Sequence, residues 1–220
     1  MRGLSLLFLL FPLAAQAEEH VLPAGCTAYV SIQYKLCVVS HHYTCSGDAD
    51  GIQHRVDIDE DGPFFTSSID FQTQWIESHD LRRDEIDRLD AGAADAANFT
   101  ELARTGRDDL DFSTTSDRGE TIRYRGRDLL TGKTVVIDDV PLLETDTFMR
   151  ATRADGSLAW ESAGNEYIHL DWRIFIAGRS VTRTDGGTFE DDDAPLRFDF
   201  PGDPGFLASE PAFNCSPLLL

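Results

Sequence analysis

The chain has 220 residues, of which 39 are Asp or Glu and 19 are Lys or Arg, and its formal net charge at neutral pH is -20. A surface this acidic repels phosphate backbones and anionic headgroups, which argues against a nucleic-acid partner and against binding to an anionic membrane surface. The length suits one domain with a full hydrophobic core, and no internal repeat or low-complexity linker indicates a second domain.

The first seventeen residues have the layout of a cleavable secretory signal. Arg2 gives a charged start, an apolar run covers 4–13, and the segment 15–17 (Ala-Gln-Ala) supplies small residues at a cleavage point. The apolar run is too short to remain as a membrane-spanning helix. We therefore predict a signal peptide at 1–17 and a mature domain at 18–220 that is periplasmic or secreted, with no stable insertion in the membrane.

Four cysteines follow this signal: Cys26, Cys37, Cys45 and Cys215. An even number of cysteines in an exported chain indicates two disulfides rather than free thiols. A strand that continued from Cys37 to Cys45 would separate these two residues by about 26 Å, which excludes that pair. Three pairings are possible in all, and of the two that remain, Cys26 with Cys37 and Cys45 with Cys215 is favoured.

Two other roles for the cysteines, zinc binding and lipid attachment, fit the sequence less well. The Cys-x-x-Cys spacing of zinc sites does not occur, and no cofactor is expected. The segment 22–26 (Leu-Pro-Ala-Gly-Cys) has part of a lipoprotein signal, but Pro23 occupies the position where such a signal has Leu. A mature protein without a lipid at Cys26 is the favoured interpretation.

From residue 27 onwards, apolar residues recur more often at every second position than with helical spacing, which predicts strands. The alternation is clear between 52 and 58, and it resumes at 65–75 after the turn 60–62 (Glu-Asp-Gly), as expected of a hairpin. Similar strands, separated by turns that contain Gly, continue to residue 200. We predict roughly nine to eleven short strands in an antiparallel all-β domain.

One segment, 78–107, breaks the alternation because it is charged and rich in Ala. Asn98 and Glu101 form a capping-box pattern, and Gly106 stands where a helix would end. We place a short helix near 96–105, with its apolar face across the sheet or over an open end. Consecutive hairpins on either side favour a barrel or half-barrel-like single domain, with a two-sheet sandwich as the alternative.

The segment 164–173 has the densest mixture of polar, aromatic and titratable side chains. Its candidate catalytic residues are an acid and base set, Glu166, His169 and Asp171. Candidate ligand-binding residues are side chains of the same segment together with two other tryptophans: Tyr167, Trp172, Arg173, Trp75 and Trp160. The alternative is an ordinary hairpin, with its charges in water and its aromatic rings in the core.

The segment 57–62 matches the first half of a calcium-binding loop, with Asp57, Asp59 and Asp61 as candidate metal ligands. The second half does not match, because Pro63 and Ser68 occupy its seventh and twelfth positions. A hairpin turn whose carboxylates face water is the favoured interpretation.

The familiar motifs of serine hydrolases and zinc proteases do not occur. The leading hypothesis is a non-catalytic binding or carrier module for a small apolar or amphipathic ligand, with tryptophans lining a cavity. One alternative is an exported enzyme that uses the Glu/His/Asp set as an acid and base. The other is a structural or protein-interaction domain of the cell envelope, which needs an open sheet edge or an apolar surface patch.

Overall fold

A computed structural model describes residues 19–215, and the predicted signal peptide at 1–17 lies outside the described residues. Between 19 and 215 the chain forms thirteen β-strands and one short helix. They are, in chain order, β1 (Cys26–Tyr34), β2 (Val39–Cys45), β3 (Gln53–Asp59), β4 (Gly62–Ile69), β5 (Trp75–Asp80), β6 (Glu85–Leu89), α1 (Phe99–Thr105), β7 (Arg107–Ser116), β8 (Thr121–Ile137), β9 (Val140–Arg153), β10 (Leu158–His169), β11 (Ile174–Thr184), β12 (Gly187–Asp192) and β13 (Pro195–Asp199).

All thirteen strands belong to one antiparallel sheet, which confirms the predicted all-β meander. From β1 to β12 each strand lies beside its neighbour in the chain, and β13 pairs with the free side of β1. The sheet is not closed, because β12 and β13 remain its two edges. Of the architectures predicted from the sequence, the half-barrel describes it best.

The whole of β6 and the second half of β5 lie within the segment that was predicted to break the alternation. In β6 only Ile86 and Leu89 are large apolar residues, and they stand among Glu85, Asp87 and Arg88. None of the residues of β5 or β6 is fully buried, so their side chains need not alternate between apolar and charged. Local apolar spacing therefore underestimated the number of strands.

The sheet curls so that β1 and β13 pack against β9 and β11. The main apolar cluster takes buried side chains from all four strands: Val30, Ile32, Tyr34, Val140, Leu142, Ile174, Ile176 and Phe198. A register shift after Ala28 turns that residue to the opposite face of β1, where Val39 and Val56 form a second cluster with Phe206 and Leu207 from the C-terminal segment. Both faces of β1 are therefore covered.

Two disulfides join Cys26 to Cys45 and Cys37 to Cys215. The predicted number is confirmed, but the favoured pairing is wrong. Because β2 begins only at Val39, Cys37 lies in the turn between β1 and β2, and the register of this hairpin places Cys26 directly opposite Cys45. Cys37 is then free to bond with the C-terminal segment. The bond to Cys45 also occupies the sulfur that a lipid at Cys26 would require.

The helix α1 lies within the predicted range and has the predicted caps. The Asn98 Oδ1 atom accepts a hydrogen bond of 3.0 Å from the Glu101 N–H. Gly106 ends the helix with a φ of 81° and donates its N–H to the Leu102 carbonyl. This left-handed conformation favours glycine, since other residues pay a steric penalty there. α1 has seven residues and is the only α-helix between 19 and 215. No helix in that range has the length and apolar character needed to cross a membrane.

Through two buried side chains, Phe99 and Leu102, α1 packs against four neighbouring strands. The side chains that they contact come from β8, β9, β10 and β11: Leu130, Leu143, Ile168 and Phe175. The helix thereby covers one end of the concave side of the sheet. We call this the closed end.

Candidate binding cavity

The concave side of the sheet contains a cavity of about 590 Å³. Side chains from ten consecutive strands, β2 to β11, line it, and Ala97 contributes from the segment before α1. Small-molecule sites in proteins commonly have volumes of about 300 to 1,000 Å³. The cavity is therefore large enough for a small organic ligand.

A glycine in β8 allows neighbouring strands to approach closely at the cavity. Gly126 lies between Tyr124 and Asp128 on one face of β8, and a Cβ atom added there would come within 2.2 Å of the Phe148 carbonyl oxygen. A glycine in a strand commonly marks a close backbone approach of this kind. Gly126 thus permits this packing of β8 against β9 and adds no side chain of its own to the space between Tyr124 and Asp128.

Four aromatic side chains, Trp75, Phe112, Tyr124 and Trp160, form what we call the aromatic wall of the cavity. Ring centroids are 5.4 Å apart for Trp75 and Phe112, 5.1 Å for Phe112 and Tyr124, and 6.0 Å for Tyr124 and Trp160. The strand register explains this alignment, because Phe112 pairs with Tyr124 and Ala151 stands between Tyr124 and Trp160. Two of the predicted binding residues, Trp75 and Trp160, belong to this wall.

Nearer the closed end, three carboxyl side chains face the same cavity: Asp108, Asp128 and Glu166. We call them the acidic group. Asp108 and Asp128 are direct register partners on β7 and β8, and Glu166 lies on β10. Asp108 precedes Phe112 by four residues of a strand, which corresponds to about 13 Å. One end of the cavity is therefore aromatic and the other acidic.

The environment of the acidic group raises the pKa of all three carboxyls. Burial, with the charges of Glu166 and Asp108 adding to it, raises the pKa of Asp128 to about 8. Burial raises the pKa of Glu166 to about 7, although Arg55 opposes this. Burial also raises the pKa of Asp108 to about 6, against a hydrogen bond from the Asn98 N–H that favours ionisation. Near neutral pH the group holds protons that ordinary carboxyls would have lost.

Arg55 of β3 lines the cavity and already has a carboxylate partner. Its Nη2 atom lies 3.0 Å from Asp57 Oδ2, and Asp57 Oδ1 accepts a hydrogen bond of 2.5 Å from Ser40 Oγ. Asp57 is only 7 % exposed, so the prediction that it faces water is wrong. The curled sheet covers this face of β3, and burying a charge of this kind requires such partners.

The other two calcium candidates form no metal site with Asp57. Asp59 forms an ion pair with Arg82, and its Oδ1 atom accepts the backbone N–H of Asp61. Between residues 19 and 215, the side chains that could together bind a metal ion are those of Cys45, Asp48 and His54. The Cys45 sulfur is bonded to Cys26, which leaves only the Asp48 and His54 pair, whose Oδ2 and Nε2 atoms are 2.6 Å apart.

Two buried nitrogen atoms beside the cavity, His42 Nε2 and Arg55 Nε, have no hydrogen-bond partner within the described part of the chain. The two residues are register partners on β2 and β3, and both line the cavity. His42 is 4 % exposed, and burial, assisted by the positive charge of Arg55, holds its pKa well below the usual range. Because buried polar atoms nearly always have a partner, this pair indicates a place for a polar ligand atom or a water molecule.

The structure separates the predicted catalytic set of 164–173. Glu166 faces the cavity, whereas His169 and Asp171 lie at the turn between β10 and β11 and are not among the described residues that line it. The ring of His169 stacks on Trp172 with a centroid distance of 3.7 Å, and its Nδ1 atom accepts the Trp172 N–H at 3.2 Å. Burial lowers the pKa of His169, and the charge of Asp171 partly opposes this.

The three predicted binding residues of that segment contact other parts of the protein. Arg173 donates hydrogen bonds to the Phe71 carbonyl at 2.8 Å and to Thr100 Oγ1 at 3.0 Å, and it lies 3.8 Å from the centre of the Phe71 ring. It thus connects the β4–β5 loop, α1 and the β10–β11 turn at the closed end. Tyr167 and Trp172 pack against the main apolar cluster.

Sequence reasoning missed four of the residues that give the cavity its polar character: His42, Arg55, Asp108 and Asp128. One local signal was present, since Tyr124 and Asp128 lie on the same face of β8. That spacing shows that the two side chains share a face, but it does not show that the face is concave.

Comparisons of the chain with known protein families, with curated proteins and with solved structures found no match.

Proposed function

We propose that this protein is a non-catalytic binding or carrier module for a small amphipathic ligand, and that it acts in the periplasm or as a secreted protein. The cavity on the concave side of the sheet carries the proposal. Its aromatic wall offers apolar surface, its other end offers the carboxyls of the acidic group, and its lining includes the unpartnered nitrogens of His42 and Arg55. A ligand with an apolar and a polar part would match both ends.

The location is supported by the two disulfides. Bonds of this kind form and persist in oxidising compartments, such as the periplasm and the extracellular medium, and they are rare in the cytosol. The pattern at 1–17, which is typical of a secretory signal, favours the same location.

Tryptophan fluorescence tests the proposal, because Trp75 and Trp160 line the cavity and Trp172 does not. Titration with ten-carbon amphiphiles, below the concentrations at which they form micelles, should produce a saturable shift in emission. The shift should decrease in Trp75→Phe and Trp160→Phe and persist in Trp172→Phe. A protein whose emission responds to none of the amphiphiles would contradict the proposal.

Filling the cavity provides a second test with a matched control. Ser67 lines the cavity, and the adjacent residue of β4, Ser68, points to the opposite face of the sheet. Ser67→Phe should weaken amphiphile binding by at least about tenfold, since it occupies space that the ligand needs. Ser68→Phe should leave the affinity unchanged. Equal affinities in both variants would place binding elsewhere.

A second candidate function, acid and base catalysis, is favoured by the raised pKa values of Asp128 and Glu166. Carboxyls that titrate near neutral pH in a cavity are typical of active sites as well as of binding sites. Mass spectrometry of a bound compound after prolonged incubation separates the two functions. Recovery of the unchanged compound supports a binding module, whereas turnover that is lost in Glu166→Gln supports an enzyme.

A further inference from the structure

We infer that the ligand carries a positively charged nitrogen, as in an alkylamine or a quaternary ammonium compound, and that this group lies at the acidic group while the apolar part lies along the aromatic wall. The inference rests on the proposed function and specifies its ligand class. Its basis is the balance of charge inside the cavity, the arrangement of its two ends and the unpartnered Nε2 atom of His42 beside it.

The charged side chains that line the cavity are predominantly acidic. Among the described lining residues, five carboxyls from β5, β6, β7, β8 and β10 stand with one arginine: Glu77, Asp87, Asp108, Asp128, Glu166 and Arg55. The arginine is already paired with Asp57, and Glu77 is paired with Arg88 at 2.9 Å. None of the three carboxyls of the acidic group forms an ion pair within residues 19–215, although the charge of Arg55 acts on Glu166. A ligand cation would supply the missing charge.

The two histidines that line the cavity do not supply this charge. Burial and the neighbouring Arg55 keep His42 in its neutral form, and His54 is hydrogen-bonded to Asp48. A neutral imidazole has one ring nitrogen that accepts hydrogen bonds. In the tautomer that carries its proton on Nδ1, the unpartnered Nε2 atom of His42 accepts a hydrogen bond, so the N–H of an alkylammonium ligand could contact it independently of the carboxyls.

Because the pKa values of these carboxyls are raised, the affinity for a cationic ligand should depend on pH. A bound cation favours the ionised forms of Asp128 and Glu166, so its binding releases protons from them. Affinity for a permanently charged cation should then increase as the pH rises through about 7 and about 8, the pKa values of these two carboxyls. A neutral ligand that accepts hydrogen bonds from the protonated acids would show the opposite dependence.

The test compares three probes with the same ten-carbon chain: decyltrimethylammonium, decanol and decanoate. Binding is measured by calorimetry and by tryptophan fluorescence at pH 5.5 and at pH 8.5. At pH 8.5 the cation should bind at least about tenfold more tightly than either other probe, because close pairs of buried opposite charges couple strongly. At pH 5.5 its affinity should fall by a similar factor, while that of decanol should not fall.

Asp128→Asn removes one ionisable carboxyl and keeps the shape of the side chain, and Glu166→Gln does the same on β10. Each variant should weaken binding of decyltrimethylammonium by at least about tenfold and leave decanol binding unchanged. The control is Asp109→Asn, since Asp109 is exposed on the opposite face of β7 and is paired with Arg107. Circular dichroism verifies that each variant is folded.

The outcomes separate this inference from the proposed function. If decanol or decanoate binds as tightly as the cation at pH 8.5, or if both variants keep full affinity for the cation, the inference is wrong and the proposed function stands. If none of the three probes binds, the proposed function fails and the inference fails with it.

Discussion

The region around β1 and the region around β7 and β8 belong to one sheet, but their two faces are used differently. In β1 the residues from Val30 to Gln33 are fully buried, because β9 and β11 cover one face and the C-terminal segment covers the other. In β7 and β8 the convex face exposes ion pairs such as Arg123 with Asp111, and the concave face borders the cavity. The comparison shows a division of roles: one region is filled with apolar side chains, and the other leaves space for a ligand.

The largest expected effect comes from separating the C-terminal segment from the β1 region. Cys37→Ser with Cys215→Ser removes the disulfide that spans 178 residues, and the loss should destabilise the protein by about 5 kcal/mol. Cys26→Ser with Cys45→Ser removes the disulfide that spans 19 residues and should cost about 3 kcal/mol. Urea unfolding of both variants provides the measurement. The reverse order of stabilities would show that the C-terminal segment contributes little to the β1 region.

Two side-chain truncations in the same strand, β9, test whether the β1 region is packed more tightly than the cavity wall. Leu142 is 1 % exposed in the main apolar cluster, and Leu142→Ala should lower the free energy of unfolding by about 3 to 5 kcal/mol. Met149 lines the cavity, and Met149→Ala should cost about 2 kcal/mol, the low end of the range for such truncations, because one side of this side chain already borders empty space. Equal losses in urea unfolding would indicate that the cavity walls are packed as tightly as the β1 region.

Asp128 should make the stability of the cavity region depend on pH. Its pKa is raised in the folded protein from 3.8 to about 8, so the folded chain holds the proton more tightly, and the free energy of unfolding falls as the pH rises across this interval. Asp128→Asn cannot ionise and should therefore be more stable than the unmodified protein at pH 8, by on the order of 1 to 3 kcal/mol, with a smaller difference at pH 5.

Urea unfolding of Asp128→Asn at both pH values gives the required measurement. Asp109→Asn is again the control, because Asp109 is exposed and Arg107 lowers its pKa, so its removal should give no gain in stability at pH 8. A gain of the same size at pH 5 and pH 8 would disprove the assignment of a raised pKa to Asp128.

The smallest expected effect concerns the helix that covers the closed end. Asn98→Ala removes the N-cap hydrogen bond to Glu101 and should cost about 1 kcal/mol. Hydrogen exchange should become faster in α1, while the amides of β1 remain protected. Arg104→Ala, a change at an exposed position of the same helix, should alter neither. Faster exchange throughout the sheet would mean that the closed end and the β1 region unfold together.

The features that the sequence predicts well are those set by neighbouring residues. The hairpin of β3 and β4 follows from alternation on each side of one turn, and α1 follows from Asn98 and Gly106. Each of these signals acts over a few residues, where capping and turn geometry outweigh distant contacts.

The features that the sequence does not predict depend on how the sheet curls. Asp57 is buried because the curled sheet covers its face of β3, and Cys37 bonds to Cys215 because the C-terminal segment returns across β1 and β2. The acidic group likewise combines Asp108 and Glu166 from strands that are not neighbours. No short-range pattern encodes the distance between them, whereas Trp75 and Trp160 could be proposed from residue type alone.

The disulfide between Cys37 and Cys215 imposes an order on folding. Synthesis proceeds from the N-terminus, and Cys26, Cys37 and Cys45 all emerge long before Cys215 does. For most of that time Cys37 has no correct partner, while Cys26 and Cys45 are within reach as incorrect ones. Early pairing of the β1–β2 hairpin, which places Cys26 opposite Cys45, removes both from competition. Early formation of the β1–β2 hairpin therefore keeps Cys37 available for Cys215. A chain that forms this hairpin slowly would depend on a disulfide isomerase.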